Sequence, residues 1–324
     1  MPLVVARAGR ARRRPAPAAA VAAAVLAGTL TACGPPAPTP STTTPAPTAT
    51  DAGPLPDDVA RALAVEVAQA RTDRVARVVE LRVRNAGPVD VTVVEGRLTT
   101  ATTAAPAVTE KEREIRGGST RAMRAALAAP TCPAVATGTA GPDPAPVVEL
   151  DVVDAEGRAG TVRVVPTDET DDLRRVHGED CAAAAVAAGL RLGLDDALVT
   201  REEDGRPVAD LVLRVEPVAG GPHVRLVQVG GTTLLRPAAA LGPWVVDVDS
   251  AHPPADGRVV LPVVPARCDV HAIAEDKRGT VLGVRAVVDG VEQPELYVAA
   301  SAQLRGALHE FVRAACGVPD DART

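Results

Sequence analysis

Glu80-Leu81-Arg82-Val83-Arg84-Asn85-Ala86-Gly87-Pro88-Val89-Asp90-Val91-Thr92-Val93 is the stretch that decides the fold class. Polar and apolar residues alternate from Glu80 to Arg84. Asn-Ala-Gly-Pro then breaks the run, and Val89, Val91 and Val93 resume it on one face. Period-two alternation bounded by Gly and Pro reads as half-buried antiparallel strands.

The same pattern returns in the second half of the chain. Leu211, Leu213 and Val215 alternate, Gly220-Gly221-Pro222 turns, and Val224 and Leu226 follow. Gln228 breaks this alternation while Val227 and Val229 carry it on the other parity, which predicts a bulge or a strand buried on both faces. Each half continues alike. A glycine turn (Gly117-Gly118; Asp256-Gly257) leads to a strand and then to Cys132 or Cys268. A hairpin follows, with Val147 to Val153 and Thr161 to Val165 flanking Asp154 to Gly157 in the first half. In the second half Val281 to Val288 and Glu295 to Val298 flank Asp289-Gly290, a tight-turn pair. A short closing helix is predicted in each half. Thr170 is the expected cap of one, which carries Leu173 and Val176. Ser301 is the expected cap of the other, with Leu304, Leu308, Phe311 and Val312 on one face. Leu63, Val65 and Val67 match Leu190, Leu192 and Leu194 as opening strands, although Val59, Leu63 and Val67 also fit helical spacing.

Four cysteines of the body allow three pairings. The repeat selects Cys132–Cys181 and Cys268–Cys316, separated by 49 and 48 positions. Closing loops of that length contributes about 4 kcal/mol each in the chain-entropy model. The expected fold is therefore mainly β: two tandem antiparallel β-sandwich modules, each closed by a short C-terminal helix and a disulfide. They resemble immunoglobulin-type modules in architecture, without the Cys…Trp…Cys pattern of antibody domains. The expected divisions are a leader over 1–32, a tether over 33–56, modules over 57–183 and 184–318, and a tail over 319–324.

The N-terminus carries an address. Arg7, Arg10, Arg12, Arg13 and Arg14 form a basic cluster, and Ala18 to Leu30 is uncharged and apolar. Small residues Thr31 and Ala32 precede Cys33. This is the layout of an export signal, too short for a comfortable membrane span. Leu30-Thr31-Ala32-Cys33 resembles the lipobox of bacterial lipoproteins. The resemblance implies that Cys33 receives a diacylglyceryl group and becomes the mature N-terminus, held in the bilayer on the extracytoplasmic face. Residues 34–56, rich in Pro, Thr and Ala, cannot bury enough surface to fold and read as an extended tether. Of 35 basic residues only Lys111 and Lys277 are Lys; with the tandem organisation, this bias resembles lipoproteins of actinobacteria, a class that transfers no activity.

Composition narrows the function. Removing residues 1–32 takes away five arginines and no acid, so the net charge moves from −6 to −11. An acidic body argues against nucleic acid and direct headgroup binding. Trp244, Tyr297 and Phe311 are the only aromatics, which disfavours stacking platforms for sugars or bases.

Candidate chemistry is sparse. Cys268, His271, His309 and Cys316 can be drawn as a Cys2His2 zinc set, yet disulfides account for all four body cysteines and no metal is expected. Copper handling would favour Met and His clusters, and Met123 is the only Met after the leader. Ser119 follows two glycines without a Gly-x-Ser-x-Gly elbow. Asp249, Ser250 and His252 are the least remote hydrolytic set, although such close neighbours seldom face one another. Asp168, Glu169, Asp171 and Asp172 suit a helix start. Glu202-Glu203-Asp204-Gly205 reads as a solvated turn, and Asp247 with Asp249 as a strand's outer face; none matches an EF-hand loop. No catalytic residue and no cofactor are expected. The expected function is a membrane-anchored, non-catalytic binding or assembly module of the cell envelope. Its partners would be the bilayer through acylated Cys33 and an envelope protein, with a groove near Ala182 to Asp195. An envelope hydrolase or its inactive relative, and a solute-binding receptor, are the alternatives.

Overall fold

The structure is a computed structural model that describes residues 53–132, 144–239, 241–269 and 280–318. The expected leader, Cys33, most of the tether, His271 and the tail lie outside the described residues. From Thr50 onward the chain forms one compact unit. Among the described residues it is mainly β, with four antiparallel sheets and two disulfides. No helix among the described residues is long and apolar enough to cross a membrane.

A short helix α1 (Asp57–Arg61) precedes β1 (Leu63–Ala68), so Val59 lies in a helix and Leu63, Val65 and Val67 in a strand. In the first half β1, β2 (Val78–Asn85) and β6 (Thr120–Ala126) make one sheet in the order β1-β2-β6. The other contains β3 (Val91–Thr99), β4 (Ala107–Val108), β5 (Arg113–Ile115), β7 (Val147–Asp154) and β8 (Ala159–Val164), in the order β4-β3-β7-β8 with β5 also on β3. Alternate residues of both sheets, among them Val65, Leu81, Val93, Leu98, Met123 and Leu150, pack into one buried cluster.

The Asn85 to Pro88 turn carries the chain from one sheet to the other; β2 and β3 do not pair. Asn85 is the reason the corner holds. Its side chain is buried, with Nδ2 donating to the carbonyls of Val89 (2.7 Å) and Ile115 (3.3 Å) and Oδ1 accepting from the Gly87 amide (3.0 Å). A buried amide so satisfied fixes the turn at no desolvation penalty.

The second half also holds two sheets. One sheet holds β9 (Leu190–Leu194), β10 (Val199–Glu203), β11 (Arg206–Pro217), β13 (Leu235–Pro237) and β15 (Arg258–Pro265). The other holds β12 (Val224–Val229), β14 (Trp244–Asp249), β16 (Val281–Val288), β17 (Val291–Glu292) and β18 (Leu296–Ala299). The parity change read at Gln228 is a bulge: the register of β12 shifts between Leu226 and Gln228 against both β14 and β16. β3 has the same irregularity between Val93 and Glu95. Asp289 and Gly290, at φ 47° and 83°, make the tight turn between β16 and β17. Helix α3 (Ala302–Ala315) starts where Ser301 accepts from the Leu304 amide at 3.1 Å, and it buries Leu304, Leu308, Phe311 and Val312.

Both disulfides join the expected partners, Cys132–Cys181 and Cys268–Cys316, with Cα separations of 5.4 and 5.3 Å. The first-half helix departs from expectation. Instead of a short closing helix, α2 (Asp172–Gly189) runs for 18 residues straight through 183 and 184, where two modules were expected to divide. Val176 packs in the first cluster and Ala182 and Val186 in the second. Residues 180–188 are mostly alanine, which offers no periodic contrast to reveal a helix yet has the highest helix propensity. The helix end meets the β11–β12 loop so closely that a Cβ on Gly221 would lie 2.1 Å from the Ala188 carbonyl oxygen.

Thr170 is not the cap. The Asp168 carboxylate accepts from the amides of Asp172 (2.8 Å) and Leu173 (2.9 Å), and Thr170 donates to Asp172 at 2.7 Å. Asp172 is buried and also accepts from the Gln69 amide (2.8 Å) and Arg175 (2.5 Å), binding α2 to the end of β1. Burial alone would raise its pKa; the hydrogen bonds from Arg175, Thr170 and Gln69 outweigh it and hold the carboxyl below its usual value. A depressed folded-state pKa contributes stability that is present above the unfolded value, about 3.9, and lost as pH falls through the folded one. Asp172→Asn is therefore expected to lower the urea midpoint clearly at pH 7, with the difference from the native chain shrinking progressively below pH ~4.

Candidate functional site

The Asp249-Ser250-Ala251-His252 run sits where β14 ends, opposite the start of β12. Asp249 does not meet His252 through its side chain. Its carboxylate accepts from the Ala251 amide (2.7 Å) and from His223 Nε2 (2.8 Å), a residue 26 positions away across the strand pair. The Ala251 amide first, and the His223 imidazole second, hold the Asp249 carboxyl below its usual range. Ser250 Oγ accepts from the Val224 amide at 2.9 Å, and the His252 amide donates to the Asp249 carbonyl at 3.1 Å. The residues thus tie β14 to β12. The His–Asp pair exists with a different histidine from the one expected, and the serine hydroxyl is engaged by the Val224 amide. Ser119 Oγ donates to the Arg116 carbonyl at 2.8 Å inside its own turn.

The zinc set drawn over Cys268 and Cys316 is occupied by a covalent bond between the two sulfurs; His309 stands half-buried on α3, and His271 is outside the described residues. The acidic clusters have structural work. Asp168 and Asp172 seat α2, as above. Asp204 and Gly205, at φ 52° and 72°, turn β10 into β11, and Asp247, at φ 41°, lies where β14 bulges against β12.

Near Ala182 to Asp195, where a groove is expected, Ala184, Ala187, Ala188 and Arg191 are exposed and the rest are buried or half-buried. Ala182, Val186 and Leu190 are core residues, and buried Asp195 is gripped by Arg214 and, at 2.9 Å, by Arg258. A cleft that draws on both halves lies elsewhere. It measures about 360 Å³ and is lined by Arg71 from the first half and, from the second, by Gly230 to Thr233, Val281, Gly283, Glu295 and Tyr297. Gly283 on β16 faces Tyr297 on β18. Absence of a side chain at Gly283 seats the Glu295 carboxylate, since a Cβ there would lie 2.6 Å from Oε1. Tyr297 donates to Glu295 Oε2 at 3.0 Å, and the Gly230 amide donates to the Gly283 carbonyl at 2.7 Å. Thr232 accepts from the amides of Leu234 (3.2 Å) and Leu235 (3.0 Å) and so fixes the loop that forms one wall. The cleft offers a guanidinium and a carboxylate paired with a phenol. That set suits recognition of a small polar group. Gly230-Gly231-Thr232-Thr233 and the lone Tyr297 were the only traces of it in the sequence.

No protein-family model matches this chain, and no curated protein matches it. Among solved structures, the chain is similar at 12% identity to the YadV chaperone, with TM-score 0.17 over 69% of this chain and 92% of that one. It is similar at 12% identity to red sea bream transglutaminase, with TM-score 0.19 over 74% and 31%. For the Pseudomonas aeruginosa CupB2 chaperone the values are 12%, 0.15, 69% and 93%. Likenesses this slight transfer no activity.

Ser250→Ala removes the acceptor of the Val224 amide. It is expected to cost about 1 kcal/mol of unfolding free energy in a urea titration, with no change in labelling by an active-serine probe. Labelling that disappears in the variant would make Ser250 a nucleophile.

Proposed function

We propose that this chain is a lipoprotein held on the outer face of the cell membrane by acylated Cys33, acting as a non-catalytic binding or assembly module of the envelope. The observation that carries the reading is Leu30-Thr31-Ala32-Cys33 at the end of an uncharged stretch behind an arginine cluster. Two acyl chains anchor a protein far more firmly than one, at about 0.8 kcal/mol per buried CH2. The Pro/Thr/Ala-rich residues 34–56 would hold the body clear of the bilayer. Two disulfides in the body agree with an oxidising compartment.

We further read the body as two tandem immunoglobulin-like sandwiches. Support comes from the repeated crossing between sheets, at β2 to β3 and at β11 to β12, and from one apolar cluster within each half. The cleft between Arg71 and Tyr297 is the binding surface the geometry favours, ahead of the hydrolytic set, whose serine hydroxyl is taken up by the Val224 amide.

Cys33→Ser tests the anchor. The native chain is expected to incorporate a fatty-acid label and sediment with membranes, and the variant to lose both. A variant that keeps the label and its membrane fraction would contradict the reading.

A further inference from the structure

His177 and Cys181 stand four residues apart on α2 and so share one face of the helix. Cys132 reaches Cys181 from the segment that follows β6. A ring nitrogen of His177 and the two sulfurs all lie within 4.8 Å of one another, each residue half-buried. While the sulfurs are joined, neither is a thiolate. We propose that reduction of this bond uncovers a metal site, in which the thiolates of Cys132 and Cys181 and the imidazole of His177 bind a divalent cation of the zinc class, with the fourth position open to water. The inference does not depend on the proposed anchoring.

Three features argue for it. The first is the spacing of the donors. Tetrahedral zinc with Zn–S near ~2.3 Å and Zn–N near ~2.0 Å places its ligand atoms about 3.5–3.8 Å apart. Cleavage lets the sulfurs separate to that range, and the imidazole is already within small side-chain movements of it. The second is the outer partner. His177 Nε2 lies 3.0 Å from the Thr131 carbonyl oxygen. In the tautomer that donates this bond, Nδ1 carries the lone pair, the arrangement that orients a metal-binding histidine.

The third is a frame independent of the disulfide. Arg77, held at φ 52°, donates to both oxygens of Asp180 (2.8 Å and 2.6 Å) and to the carbonyls of Leu127 (3.2 Å) and Ala128 (2.9 Å). It therefore ties the residue before Cys181 to the strand end that leads to Cys132, and the two thiols stay opposite one another when the covalent link is gone. Among the described residues, Cys268–Cys316 has no third donor at comparable range.

The chemistry balances with a two-electron reductant. A phosphine breaks the S–S bond, two thiols form with protons from water, and the phosphine leaves as its oxide. The cation then displaces both thiol protons, giving a site in which two thiolates neutralise its charge. Reoxidation by a small-molecule disulfide, itself reduced to two thiols, takes two electrons from the sulfurs, restores the bond and expels the metal.

The test uses the full chain, reduced with a phosphine and mixed with Zn2+ or Co2+ alone. Co2+ is expected to give a thiolate-to-metal charge-transfer band. Zn2+ is expected to shield Cys132 and Cys181 from alkylation while Cys268 and Cys316 react, and His177→Ala should weaken Zn2+ binding at least tenfold. Shielding of neither pair, shielding of all four cysteines alike, or shielding unchanged by His177→Ala would overturn the proposal. So would loss of the sheet's circular-dichroism signal on reduction without recovery on adding Zn2+.

Discussion

Helix α2 has to belong to two hydrophobic cores at once, and much of the molecule is arranged around that requirement. Its N-terminal part places Val176 among the first cluster and its C-terminal part places Ala182 and Val186 in the second. An alanine-rich helix buries little area per residue, so its position is set by specific ties. Asp168 receives its first amides, Asp172 binds Gln69 and Arg175, Arg77 grips Asp180, and Cys181 is bonded to Cys132. At its far end, the approach to Gly221 leaves no room for a side chain. Polar and covalent contacts thus supply what aromatic packing supplies in richer cores.

Much of this was legible in the sequence, for identifiable reasons. Alternation at 80–84 and 211–215 marked strands because one face of each is buried. The matched cysteine spacings, 49 and 48 positions, pointed to the disulfides that form. Ser301 was a readable cap because a clear amphipathic helix follows it. The bulge at Gln228 was legible as a change of parity. What escaped was non-periodic. The length of α2 went unread because the alanines on either side of Val186 show no contrast between faces. Thr170 was preferred as a cap over Asp168 because the loop that lets a residue four positions back reach the first amides has no linear signature.

The candidate cleft escaped for a related reason. Arg71, Thr232, Gly283 and Glu295 come from four separate segments and meet only through the fold. His223 was likewise invisible as the partner of Asp249, since the strand pairing that joins them spans 26 positions. His177 carried no metal motif, because its companion Cys132 is far away in the chain. In the proposed function these features have a common logic: a tether gives the body reach, and a body locked by α2 presents a fixed cleft.

If α2 fuses the halves, they cannot melt independently. Scanning calorimetry of the oxidised full chain tests this most directly. The account predicts one transition whose calorimetric and van't Hoff enthalpies agree, as for a single cooperative unit. Two resolved transitions, each about half the total enthalpy, would show that the halves are separate domains and that α2 does not join them.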